Sequence, residues 1–481
     1  MAVAGCVSPA AELLAQSAAP PLPERPAVVI AVIDTGINFY HDEYRQSYDP
    51  TTREVPPAPT SDMARLLGID DQLVEVPIAL GLAWAEAVEM DRERLIETFE
   101  PKTLYTFPGT RILGAISFQQ SGGAMCEGGG ILGTTPAECV DWPLILDFPG
   151  GHGTMTTSRA IGNSISIGGQ EPDIYLVMVQ GFTPEALVWV ADQEWIDIAS
   201  ISAGLSFLGV APGVPTAGEA AGLSDAIGAF NYLSHKKPFF ASTGNGMGNA
   251  GVLGFPSWLR GSSGVPDAIS VGANNNDEMS HWHNQDPYIS ADGCANPSAD
   301  SDDTESVSNY GGGTSSATPF SAGGGAKLLL EARRILDDTH IGPRVDDTLV
   351  EEAWSSGRAA DATIVLAKGE PGLAASGPLA DGVFTLTEFK QTLYLSALAA
   401  PTDDESDGDK CAPLAGGFPG GENLPAAARF PIQGYGEVNH ASIDAALAVI
   451  RGDAPMPERA DDDAQYAMAR ERKMLFVGDA E

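Results

Sequence analysis

Short runs of unbroken apolar residues recur along this chain, and each stops at a small or polar residue. Ala27 to Ile33 reads AVVIAVI, Ile174 to Val179 reads IYLVMV, Pro238 to Ala241 reads PFFA and Ala268 to Ala273 reads AISVGA. Continuous, β-branched runs of this length are how strands buried on both faces read, as in a parallel sheet. Arg111 to Phe118 and Trp195 to Leu205 read as two further strands. Helical periodicity fills the intervals. Over residues 62–100, Leu66, Leu73, Leu80, Trp84, Val88 and Leu95 recur between Glu and Arg residues. Further helices are predicted over Met155 to Ile161, Pro184 to Asp192, Ala220 to His235, 326–337, 346–354 and Ala441 to Ile450. Strands alternating with helices predict an α/β fold, with a mainly parallel sheet and helices on both faces.

The same pattern divides the chain. Residues 1–25 are an Ala/Pro-rich segment expected to be poorly ordered, and 26–452 form one large unit. Within it, about 50–148 reads as an insertion with a helical part and a Gly-rich part, and about 361–430 as an irregular insertion carrying the acidic run Asp403 to Asp409. Residues 453–481 read as an acidic tail with a short amphipathic helix. No apolar run reaches the ~18 residues of a membrane-spanning helix.

Ligands of open α/β sheets bind at the C-terminal ends of strands, and the polar residues there form an ordered set. Asp34 ends the first apolar run, in Asp34-Thr35-Gly36. His152 lies in Gly150-Gly151-His152-Gly153-Thr154, flanked by glycine on both sides. Asn245 follows a strand in Thr243-Gly244-Asn245-Gly246, and Ser315 lies in Gly313-Thr314-Ser315-Ser316-Ala317-Thr318-Pro319. Pro319 is expected at the first position of a buried helix, with Ser315 in the turn before it. A serine hydroxyl has too high a pKa to attack a carbonyl unaided. A histidine that takes its proton, and a buried carboxylate that orients the histidine, supply what it lacks. A side-chain amide such as Asn245 and the Ser315 N–H suit an oxyanion. Taken singly, each has a plainer account: Ser315 as a helix cap, Asn245 as a turn residue, and Asp34 and His152 as loop residues.

Taken together and in order, these stretches resemble the subtilisin-like serine proteases. The resemblance rests on Ala31-Val32-Ile33-Asp34-Thr35-Gly36-Ile37, Gly151-His152-Gly153-Thr154, Gly244-Asn245 and the Gly313 to Pro319 segment. Phe255-Pro256-Ser257, Ile269-Ser270-Val271-Gly272-Ala273 and Gly434-Tyr435-Gly436 extend it over about residues 26–450. It implies a subtilisin-like three-layer fold. It also implies a serine endopeptidase acting through an acyl-enzyme, with Asp34, His152 and Ser315 as triad and Asn245 in the oxyanion hole. Ser202-Ala203-Gly204 and Ala241-Ser242-Thr243-Gly244 match the family's substrate cleft, whose backbones pair with an extended peptide. Two departures stand out: Ser316 replaces the Met that many relatives carry beside the nucleophile, and Phe320 replaces their usual His. The long gap from Asp34 to His152 is expected to narrow the substrate range, toward a particular protein or precursor peptide. A catalytically silent peptide-binding module is the alternative, and an ester hydrolase a third reading.

Charge and cysteines change this picture little. Lys and Arg total 26 against 65 Asp and Glu, a formal net charge of −39. That argues against nucleic acid and anionic membranes as partners, while the resemblance implies a peptide or protein substrate. The resemblance requires no cofactor. Asp42, Glu43 and Asp300 to Asp303 offer carboxylates for Ca²⁺ without a clear motif, and a solvated acidic loop explains them as well. His281 and His283 lack a third metal ligand nearby. Val3-Ala4-Gly5-Cys6 has the small-residue pattern before a lipid-modified cysteine, an anchor that would need a signal peptide upstream. The other four cysteines, Cys126, Cys139, Cys294 and Cys411, allow three disulfide pairings. Their even count favours an extracytoplasmic location over a cytoplasmic one.

Overall fold

Val28–Asp34 forms the central strand, and all seven of its residues are buried. The computed structural model describes residues 26–46, 59–120, 122, 124–126, 139–203, 217–245, 268–275, 278–279, 288–293, 296–339, 342, 344–345, 364–399 and 436–457. In chain order the strands are β1 (Val28–Asp34), β2 (Leu73–Glu75), β3 (Leu104–Thr106), β4 (Ile112–Ser117), β5 (Ala124–Cys126), β6 (Cys139–Asp141) and β7 (Ile174–Gln180). There follow β8 (Ile198–Ile201), β9 (Phe239–Ser242), β10 (Ile269–Asn275), β11 (Glu278–Met279), β12 (Ile289–Asp292), β13 (Asn296–Ala299) and β14 (Val307–Gly311). The last are β15 (Arg344–Val345), β16 (Ile364–Lys368) and β17 (Val383–Thr385). The helices are α1 (Thr60–Leu67), α2 (Trp84–Thr98), α3 (His152–Ile161), α4 (Pro184–Asp192), α5 (Ala217–Lys236), α6 (Gly313–Ile335), α7 (Leu386–Ala399) and α8 (His440–Arg451).

The main sheet runs β11-β10-β9-β8-β1-β7-β4-β3-β2, with β12 also on β10. The pairs from β4 through β7, β1, β8 and β9 to β10 are all parallel. Alternate residues of β1 feed two cores, as a pleated strand with both faces covered requires. Val28, Ile30 and Val32 pack with residues of α3, α6, α7 and α8. Val29, Ala31 and Ile33 pack with residues of α1, α4 and α5. The chain is a three-layer α/β structure of the subtilisin-like kind.

Three sequence expectations are corrected. Residues 62–100 are not one helix: Gly68, at φ +67°, caps α1 in the left-handed conformation, and β2 joins the sheet before α2 begins. The strand expected within Arg111 to Phe118 forms as β4, fully buried and paired with β7. The stretch 361–430 is not irregular over 364–399. It forms β16, β17 and α7, with Leu366, Phe384, Phe389 and Leu393 buried. Thr385 and Glu388 start α7 reciprocally: the Glu388 N–H donates to Thr385 Oγ1 and the Thr385 N–H to Glu388 Oε2. Finally, Pro319 is not at the start of its helix but inside it, since α6 already begins at Gly313.

The far end of α6 is fixed by a buried ion pair. Arg333 and Asp197 are both wholly inaccessible, and Nη2 donates to Asp197 Oδ1 at 2.6 Å. Nη1 donates to the carbonyl of Ala27, just before β1, at 2.6 Å. Asp197 in turn accepts from the N–H of Val29 at 2.8 Å and of Gly342 at 2.7 Å. Helix α6 is thereby tied to the starts of β1 and β8, the edge opposite Asp34. Asp197→Ala would leave the guanidinium buried without its counter-charge. It is expected to cost about 3–5 kcal/mol, read as a lower urea midpoint.

Candidate active site

Asp34 sits at the C-terminal end of β1, fully buried. A buried carboxylate needs donors on its oxygens, and three provide them. The N–H of Thr35 donates to Oδ1 at 2.8 Å, and Thr156 Oγ1 to Oδ2 at 3.0 Å. The third is the ring of His152, whose Nδ1 lies 2.8 and 2.9 Å from the two oxygens. Carboxylate oxygens only accept, so Nδ1 carries a proton, and in the neutral ring the lone pair is on Nε2. His152 is the first residue of α3, and Thr156 lies four residues on, on the same helix face. The His152 side chain is 30% exposed, open to solvent on the side away from Asp34. Burial opposes its charged form. The charge and hydrogen bond of Asp34, with the charge of Asp147, outweigh burial and raise its pKa above the ordinary value near 6.5.

Ser315 is the third residue of α6 and half-buried. The first N–H groups of a helix lack intrahelical acceptors. That of Gly313 donates to the Gly293 carbonyl at 2.6 Å, and that of Thr314 to Asn245 Oδ1 at 3.0 Å. The Thr314 hydroxyl donates to the same oxygen at 2.9 Å. An N–H can only donate, so its partner must be the amide oxygen, which leaves Asn245 Nδ2 as a donor. Asn245 is exposed, at the end of the turn after β9. Gly313 permits this approach: it has φ +65°, and a Cβ there would lie 2.8 Å from Asn245 Oδ1.

Pro319 has no N–H to give the Ser315 carbonyl four residues back. The hydroxyl of Ser202, just past β8, fills that place at 3.0 Å. Ser202, expected in the cleft, thus holds the first turn of α6 through its side chain. Ala203, Ala241, Ser242 and Thr243 are buried and Gly244 is half-buried, all at or just beyond the neighbouring ends of β8 and β9. Gly204 lies outside the described residues. So do Cys6, Cys294, Cys411, His281, His283 and Phe255 to Ser257. Cys126 and Cys139 stand opposite one another in the β5–β6 register. Among the described residues no group of three or more acidic, His or Cys side chains suits a metal ion.

Two substitutions noted in the sequence are accommodated by packing. Ser316 is buried and accepts from Asn296 Nδ2 at 3.1 Å. The Arg159 guanidinium of α3 lies 4.4 Å above the Phe320 ring of α6, a cation–π contact between the two helices. The helices approach so closely at Gly323 that a Cβ there would lie 2.4 Å from the Ala160 carbonyl.

The profile of the subtilase family matches residues 25–369, more than half of the chain. The chain belongs to the subtilase family. Its family supports reading this subtilase as a serine peptidase. No curated protein matches it. Among solved structures it is similar to the protease domain of PatA, at 14% identity and TM-score 0.39, covering 90% of this chain and 99% of that one. A lanthipeptide protease is similar at 14% identity and TM-score 0.41, covering 87% and 88%. The epidermin leader peptide processing serine protease from Staphylococcus aureus is similar at 15% identity and TM-score 0.39, covering 89% and 77%. No described helix of this subtilase is long and apolar enough to cross a membrane.

Thr35, Thr156, Thr314 and Asp147 were not singled out from the sequence. Only Thr156 carried a signal there, its four-residue spacing from His152. The raised pKa of His152 has a definite sign. Stability from the protonated ring is fully present below about 6.5 and is lost as pH rises through the higher folded value. A ring able to take a proton exists only above that value. NMR titration of His152 is expected to give a midpoint above 6.5 in the wild type and a lower one in Asp34→Asn.

Proposed function

We infer that this subtilase is a serine endopeptidase in which Ser315 is the nucleophile, His152 the base and Asp34 its orienting carboxylate. The observation that carries the reading is the His152 ring held by a buried carboxylate through Nδ1, which leaves Nε2 free to accept a proton. The Ser315 Oγ attacks the peptide carbonyl carbon and its proton passes to Nε2. The carbonyl oxygen becomes an oxyanion, met by Asn245 Nδ2 and the Ser315 N–H. The C–N bond then breaks, and the imidazolium protonates the departing amine. Water, giving its proton to Nε2, attacks the acyl-enzyme and releases Ser315. No cofactor enters these steps. The cleft segments past β8 and β9 would pair with the substrate as an extended strand.

A fluorophosphonate probe, followed by intact mass, tests the reading. One adduct is expected on the wild type and none on Ser315→Ala. Asn245→Ala is expected to lower kcat on the order of 10²–10³, the range for removing such a donor in a subtilase. A folded wild type that takes no label, even after limited proteolysis, points instead to a silent peptide-binding module. Peptide against ester turnover separates the third reading.

Specialisation toward one protein or precursor is supported by the long Asp34-to-His152 segment. Phe148, half-buried and four residues before His152, stacks on Trp142 at 5.7 Å, and Trp142 on Trp84 of α2 at 6.1 Å. Phe148→Ala is expected to change selectivity across a peptide library while the probe-labelling rate stays within about twofold.

A further inference from the structure

A second carboxylate, Asp147, lies beside the first and is equally inaccessible. Four donors converge on it. Oδ1 accepts from Thr35 Oγ1 at 2.9 Å and from the Phe148 N–H at 3.2 Å. Oδ2 accepts from the Thr154 N–H at 2.7 Å and from Thr154 Oγ1 at 2.9 Å. Thr35 Oγ1 already accepts from the Gly153 N–H at 2.9 Å, and Thr154 Oγ1 from the Asn38 N–H at 2.9 Å. Each hydroxyl keeps its own proton for Asp147, and four donors around one carboxyl group suit its ionised form. Thr35 adjoins Asp34, while Gly153 and Thr154 follow His152. Asp147 thus joins the peptide after the orienting carboxylate to the first turn of the helix that carries the base.

The segment that delivers Asp147 is itself constrained. Ile145 has φ +70°, which a β-branched residue avoids. It is held there on both sides: its N–H donates to Gln180 Oε1 at 2.9 Å, and its carbonyl accepts from the Ile37 N–H at 2.8 Å. Gln180 also donates to the Thr35 carbonyl at 2.6 Å. Gly151 leaves room for the carboxylate, since a Cβ there would lie 2.2 Å from Asp147 Oδ1. Strain over-determined in this way marks a position that the fold maintains.

We propose that Asp147 is a positioning residue for the base: through Thr35 and the first turn of α3 it fixes Asp34 and His152 at their hydrogen-bonding distance. It acts on the ring from a distance as well. Asp34 and Asp147 are the two charges that raise the pKa of His152. Burial, with the charge of Asp34, raises the pKa of Asp147 despite its bonds from Thr154 and Thr35. The inference rests on the reading of His152 as the base, so its test includes a measurement that needs no turnover.

The test compares wild type, Asp147→Asn, Thr35→Val and Thr35→Ser, each checked for folding. Three quantities are read: the fluorophosphonate labelling rate, the NMR midpoint of His152, and the low-field signal of its Nδ1 proton. Asp147→Asn is expected to slow labelling roughly ten- to hundredfold and to lower the His152 midpoint, which a purely structural loss would not do. Thr35→Val keeps the charge but cuts the link. It is expected to shift or broaden the Nδ1 signal and slow labelling at least roughly tenfold, with Thr35→Ser restoring both. A folded Asp147→Asn with unchanged midpoint and labelling rate overturns the proposal. Should Asp147→Asn not fold, Thr35→Val with the wild-type Nδ1 signal overturns it. If the wild type takes no label, the protease reading fails, and the His152 midpoint and Nδ1 signal still decide the role of Asp147.

Discussion

A carboxylate buried at the end of a strand is the constraint from which this site follows. Asp34 has no exposed surface, and an ionised group there is tolerable only when its oxygens are fully met by donors. One donor is the backbone directly after it, but the other two, His152 and Thr156, belong to α3. Helix α3 must therefore dock with its first turn against the end of β1. The docking in turn leaves Nε2 of His152 out of the carboxylate contact, on a side chain 30% exposed. The catalytic geometry proposed for the base is thus also the solution to a solvation problem.

The helix that carries Ser315 is placed by different means. Glycines cost a helix about 1 kcal/mol each and an interior proline about 3, yet α6 contains Gly323, Gly324, Gly325 and Pro319. Intrinsic helicity does not hold such a segment; packing does. Gly323 lets α6 lie against the Ala160 carbonyl of α3, and Arg333 anchors its far end to the starts of β1 and β8. Ser315 is positioned by contacts at both ends of a buried rod, and so relative to the same strand that carries Asp34.

Much of this was legible in the sequence because two of its signals are local. Unbroken apolar runs announced β1, β4, β7, β8, β9 and β10, and small-residue turns marked Asp34, His152, Asn245 and Ser315 at their ends. What escaped were features set by distant partners. Residues 62–100 carry a helical stripe, yet Leu73–Glu75 pairs with Leu104–Thr106, a tertiary choice that periodicity does not record. Pro319 looked like a helix start because the Ser202 hydroxyl, which replaces its missing hydrogen bond, lies 113 residues from the Ser315 carbonyl it serves. The start of α7 was legible in principle, in the Thr385 to Glu388 spacing. The neighbouring stretch, rich in Gly, Pro and Asp, masks it.

Asp147 was illegible for the same reason, and its case shows how the site is insulated. Its donors come from three places in the chain: Thr35 after β1, its own neighbour Phe148, and Thr154 in α3. A single acceptor shared among them makes small displacements of any one costly to the others, because an unmet donor in a buried site forfeits its hydrogen bond without recovering water. Two buried carboxylates side by side would ordinarily repel and favour protonation of one. Here each is met by its own set of donors, and the positive end of the α3 dipole lies beside both. The charges of Asp34 and Asp147 both favour the protonated form of the His152 ring.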